Sequence, residues 1–126
     1  TEAGVDKGMP HSLEEDFTHT KPTSFVLNGK HYAGLTSWKN LFLKILELLE
    51  KSNEEKFKTL PETKYFISSQ GRKLFSKNKN DLQVAVGIAD DFFVEVNFSA
   101  NYIRNNIQKL LKYFSLNPAD MKIYLR

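Results

Sequence analysis

The chain has 126 residues, no cysteine, a formal charge of +3 and a pI near 9.0. A chain of this length can bury one hydrophobic core without staples, and 40% hydrophobic with 26% charged residues is the composition of a folded protein. The lack of Cys excludes disulfides and thiolate metal sites and fits a reducing cytoplasm. The most apolar run, residues 41–49, is broken by Lys44 and Glu47, far short of the ~20 residues of a membrane span. A cytoplasmic protein without membrane contact is expected.

Residues 1–24 lack a sustained apolar period and carry Glu2, Asp6, Glu14, Glu15 and Asp16 against Lys7 and Lys21. This pattern predicts a flexible acidic tether, with a single domain over residues 25–126. A tether that starts at Thr1 instead of Met suggests a domain cut from a larger, prokaryotic protein with a further domain upstream. His11 and His19 lie near the acids, but metal ligands on a tether have no fixed geometry, so no metal is expected there.

The stretch SFVLNGKHYAG places short β-prone runs on either side of Asn28-Gly29, the dipeptide of a type I′ hairpin turn. Next, Trp38, Leu41, Phe42, Ile45, Leu48 and Leu49 recur at helical spacing behind Thr36 or Ser37 as N-cap. Leu43 and Leu46 widen the apolar side of this helix, so two of its faces should be covered. A short helix restarts at Ser52 or Asn53, with Glu54 and Glu55 in its first turn and Pro61 closing the region.

Two further hairpins are predicted, one turning near Gln70-Gly71 and one at Asp90-Asp91, the latter flanked by alternating Val84, Val86, Ile88 and Phe92, Val94, Val96. A second principal helix should run from Ala100 to Phe114 with Ser99 as N-cap and Phe98 and Ile103 placed for a hydrophobic staple. Asn117-Pro118 ends it, and KIYLR should add a last strand. The order of β-hairpin, helix, strands, helix and terminal strand predicts an α+β fold with a mainly antiparallel sheet and two principal helices.

Chemistry is sparse. Neither G-x-x-x-x-G-K-[ST] nor G-x-G-x-x-G occurs, so no cofactor is expected. His31 is the one His within residues 25–126, which leaves no partner His for acid–base or metal work. Asp90, Asp91 and Glu95 could serve a metal-dependent nuclease, but the sequence continues Val96-Asn97 where such a site would need a lysine. No catalytic residue is assigned, and the domain taken alone is not expected to be an enzyme.

The charge blocks carry more information. Residues 64–80 hold Lys64, Arg72, Lys73, Lys77 and Lys79 with no acid, and Asn97 to Phe114 is likewise acid-free. With Ile103, Ile107, Leu110, Leu111 and Phe114 turned inward, the helix shows Asn101, Arg104, Asn105, Gln108, Lys109 and Lys112 outward. Asn, Gln, Arg and Lys are the side chains that reach phosphates and base edges. A non-catalytic nucleic-acid-binding accessory domain is therefore expected, with Arg72, Lys73, Lys77, Lys79, Arg104 and Lys112 on phosphates, Asn101, Asn105 and Gln108 on sugars or bases, and Lys109 on the same surface. The alternative is a protein-interaction or oligomerisation domain using the broad Trp38–Leu49 helix or the edge of the terminal strand.

Overall fold

The computed structural model describes residues 9–88 and 92–125. They divide into two compact units, one built from the N-terminal part through Leu48 together with the part from Ser99 onward, the other from Leu49 to Phe98. The elements are β1 (Pro22–Leu27), β2 (Lys30–Tyr32), α1 (Trp38–Ser52), α2 (Glu54–Phe57), β3 (Phe75–Ser76), β4 (Ala85–Ile88), β5 (Phe92–Glu95), α3 (Ala100–Tyr113) and β6 (Met121–Leu125). This is the α+β class, and every sheet pairing among the described residues is antiparallel. The strands form two three-stranded sheets, ordered β2-β1-β6 and β3-β5-β4.

In the first unit, Asn28 and Gly29 take φ of 52° and 80°, the left-handed pair that a type I′ turn demands, and this sets Leu27 opposite Lys30. β6 joins the free side of β1, with Phe25 opposite Ile123 and Leu27 opposite Met121. Those four side chains, with Leu125, are buried and lie on one face by the two-residue period of a strand. Ser37 caps α1 by accepting from Asn40 N–H at 3.1 Å. Leu41, Phe42, Ile45 and Leu46 of α1 and Ile103, Ile107, Leu110 and Leu111 of α3 complete the buried set.

In the second unit, Asn53 caps α2 through Lys56 N–H at 3.1 Å. The turn at Gln70-Gly71 forms as expected, with Gly71 at φ 81° and Ser68 N–H bonded to Arg72 O at 2.8 Å. Its arms carry a single bridge between Ile67 and Lys73, and β3 pairs with β5 just beyond them. The β4–β5 hairpin also forms, with Ile88 opposite Phe92, while its turn at Asp90-Asp91 lies outside the described residues. Phe57, Phe66, Phe75 and Phe92 are buried, and Phe92 stacks obliquely on Phe57 at 5.5 Å and edge-on to Phe75 at 6.1 Å.

The tether expectation is corrected over residues 11–24. β1 begins at Pro22, and upstream of it Leu13 is 2% and Phe17 0% exposed. Two apolar anchors in an otherwise polar segment are too few for a periodic pattern, yet each removes a whole side chain from water, worth about 1.5–3 kcal/mol. That offsets part of the ordering entropy for which composition alone shows no compensation.

Candidate peptide groove on the acid-free helix

The acid-free face of α3 is where this upstream segment, residues 11–20, lies as a strap. Asn101, Arg104 and Gln108 fall at i, i+3 and i+7, one stripe of the helix. Gln108 Nε2 donates to Leu13 O at 2.8 Å, Arg104 Nη1 donates to Glu15 O, and Asn101 accepts from Phe17 N–H at 2.7 Å. The strap therefore runs antiparallel to the helix. Leu13 and Glu14 are the centre of a turn closed by Glu15 N–H on Ser12 O at 3.3 Å, and this turn presents carbonyls 13 and 15 to donors 108 and 104, one helical turn apart.

Asn101 also donates through Nδ2 to Asp16 Oδ1 at 2.8 Å and to Thr18 Oγ1 at 3.0 Å. The Thr18 hydroxyl, Asn101 and the Thr18 N–H, with Arg104 nearby, hold the Asp16 carboxyl down at about 2. At the upstream end, His11 exchanges both main-chain bonds with Ile123 at 2.8 Å, placing the strap on the outer edge of β6. His11 Nδ1 and Ser12 N–H hold the Glu15 carboxyl below its ordinary range. At the downstream end Trp38 Nε1 donates to Thr20 O at 2.9 Å, and its ring lies 4.8 Å from that of Phe17.

This arrangement accounts for the missing acids on the Asn101, Arg104 and Gln108 stripe of α3. Apart from the Phe17 N–H that Asn101 accepts, the strap turns acceptors to this stripe, carbonyls 13 and 15 and the Asp16 carboxylate, and a Glu or Asp there would supply no donor to them and would repel Asp16.

The remaining expected site residues are placed as follows. Asn105 is exposed and accepts from Arg104 Nε at 3.1 Å, while Lys109 is half-buried. Lys112 lines a cleft of about 490 Å³ beside the strap, together with Ser12, Glu14, Asn117 and Lys122. Asn106, absent from the expected outward set, is buried, and its Nδ2 has no hydrogen-bond partner among the described residues.

In the second unit, Arg72 lies 5.0 Å over the Phe98 ring, bonds Gln83 Oε1 at 3.3 Å and approaches Glu95 at 3.7 Å. Lys73 pairs with Asp81 at 3.2 Å and Lys77 with Glu62 at 3.0 Å. Lys79 is exposed in a 3-10 turn at Lys79–Asp81. The eight Lys and Arg of residues 49–98 are matched by eight Asp and Glu, so the basic loop belongs to a unit of no net charge.

Glu95, entertained above as a nuclease carboxylate, is 1% exposed and accepts from Gln83 N–H at 2.6 Å, Val84 N–H at 2.8 Å and Asn97 N–H at 3.2 Å. Burial pushes its carboxyl up, but those three N–H donors and Arg72 outweigh burial and leave it below its ordinary value. Asp90 and Asp91 lie outside the described residues, and among the described residues no three His, Asp or Glu side chains gather as a metal site would require. No described helix is long and apolar enough to cross a membrane.

Compared with protein-family models, curated proteins and solved structures, the chain matches none.

Proposed function

We propose that this domain is a non-catalytic protein-interaction module whose α3 groove binds an acidic peptide that takes up the turns of the strap. The observation that carries the proposal is the use made of the acid-free face. Gln108 and Arg104 address the main-chain carbonyls of residues 13 and 15 as a turn presents them, while the sites of Leu13 and Phe17 select two apolar anchors four residues apart. Asn101 adds selectivity for a carboxylate just before the second anchor. The chain's own strap has this pattern, Leu-Glu-Glu-Asp-Phe. A matching segment of a partner protein is the ligand, and the strap holds the groove in its absence.

The test is fluorescence anisotropy with a labelled peptide of residues 9–20 and the full chain carrying Leu13→Ala and Phe17→Ala. The variant should bind, and the unsubstituted chain should bind at least about tenfold more weakly, because a tethered competitor acts at roughly millimolar effective concentration. A folded variant that ignores the peptide would sink the proposal.

A second reading, nucleic-acid binding in the cytoplasm, is favoured by one observation. Residues 99–126 carry five Lys or Arg against Asp120 alone, and Lys112 and Lys122 line one cleft without an ion pair among the described residues. Phosphate contact there should fall with salt, and Lys112→Glu with Lys122→Glu should abolish it while Arg72→Glu with Lys73→Glu changes it little. Binding to DNA and RNA that ignores the first pair of reversals would remove this second reading.

A further inference from the structure

The geometry points to β4 as a self-pairing edge through which two copies of this chain join their β3-β5-β4 sheets into one six-stranded sheet. The surface shares no residue with the strap groove. β4 ends its sheet, with β5 on one side and no described strand on the other. Val96 N–H bonds Val84 O at 3.1 Å, and Val86 and Ile88 stand opposite Val94 and Phe92. By antiparallel alternation the N–H and C=O groups of residues 84, 86 and 88 point to β5, and those of Ala85 and Gly87 point outward.

Open edges in natural proteins are defended by charge, proline, bulges or cover. The other two outer strands of the described sheet β2-β1-β6 are defended: β2 carries Lys30, and the outer side of β6 is bonded at Ile123 by His11. Among the described residues β4 carries no charge and no proline, and no strand pairs with its outer side. From Leu82 to Ile88 the sequence is LQVAVGI, with no charge and no proline. Val84, Val86 and Ile88 share the face of buried Val94 and Phe92, yet Val84 is 44% exposed and the other two are half-buried. The core face is thus left incompletely covered at this edge, where one more strand would complete it.

A second copy is the occupant that fits. The outward groups flank Val86, so a two-fold axis there pairs Ala85 with Gly87 of the other copy, in both directions. That register sets Val86 against its own copy and exposed Val84 against Ile88, an apolar seam, and the neutral window brings no like charges together. Acids stand at its ends in sequence, Asp81 on one side and Asp90-Asp91 on the other, so added salt should strengthen the association by screening them. A four-residue edge is small beside the ~800 Å² that each partner of a stable complex buries, so the dimer should be weak and concentration-dependent.

The test is sedimentation equilibrium of the full chain over a concentration series, joined to single-cysteine crosslinking, which the absence of native Cys makes unambiguous. Directly opposed non-hydrogen-bonded residues have Cα atoms about 4.5 Å apart, within the reach of a disulfide. Val86→Cys should therefore oxidise to a covalent dimer at least about tenfold faster than His31→Cys on the defended β2 edge. Ala85→Pro, which removes an outward N–H, should abolish association. A chain that stays monomeric at its highest soluble concentration overturns the proposal. So does a dimer that persists in Ala85→Pro, or a Val86→Cys chain that crosslinks no faster than the control.

Discussion

Gln108 and Leu13 stand 95 residues apart in the chain and are joined by a hydrogen bond of 2.8 Å from the side-chain amide to the main-chain carbonyl. A bond of this type does not depend on which side chain residue 13 carries. What selects residue 13 is the apolar site its side chain enters. Removing the amide and removing the anchor should therefore cost different amounts. Gln108→Ala should lower stability by about 1 kcal/mol, the net value of one hydrogen bond. Phe17→Ala should cost about 3–5 kcal/mol, because it leaves a cavity where a fully buried ring stood. Urea denaturation of the two variants checks the ratio, and equal losses would show that the anchors are not what holds the strap.

Acid should loosen the strap through Asp16. Its carboxyl titrates at about 2 in the folded chain, below the ordinary 3.8. Between these values the unfolded state binds more protons, so the stabilisation is present above the ordinary value and is lost as pH falls toward about 2. Asp16→Asn should flatten the pH dependence of unfolding across that window, measured against the unsubstituted chain. An unchanged slope would mean that the carboxylate contacts of Thr18 and Asn101 add nothing.

Glu95 should be the most sensitive acid of the second unit. Glu95→Ala removes the acceptor for three main-chain N–H groups and the partner of Arg72, and should cost about 3–5 kcal/mol. Glu95→Gln keeps one acceptor oxygen and should cost less. Thermal unfolding separates the two, and a harmless Glu95→Ala would show that water satisfies those donors equally well.

Asn106→Leu should stabilise the first unit by about 1 kcal/mol, since a buried amide nitrogen without a partner carries a desolvation cost that an apolar side chain of similar size lacks. Calorimetric comparison of the two chains is sufficient. A loss of stability would show that the amide makes a contact outside the described residues.

Local signals in the sequence were enough for most elements. Asn28-Gly29 specifies its turn by backbone chirality, Ser37, Asn53 and Ser99 specify helix starts by side-chain oxygens, and the alternation from Val84 to Val96 specifies a hairpin. What stayed hidden depends on distant partners. The acidic run Glu14 to Asp16 and the acid-free α3 are each visible, but their pairing follows only once Leu13 and Phe17 are known to be anchors. Two apolar residues do not make a periodic pattern. The roles of Asn101, Arg104 and Gln108 went unseen for the same reason, because donors that suit a phosphate suit a peptide carbonyl equally well. Glu95 resembles a site acid in sequence, since nothing local shows that Gln83, Val84 and Asn97 turn their N–H groups toward it.

The most direct test of the groove is thermal unfolding of the full chain carrying Leu13→Ala and Phe17→Ala, with and without the unsubstituted peptide of residues 9–20. A ligand that binds only the folded state at 100 times its Kd adds about 2.7 kcal/mol, so the peptide should raise the midpoint by several degrees. The same peptide with its own Phe17→Ala should not. An unmoved midpoint at saturating peptide, or an equal rise with both peptides, would contradict the account.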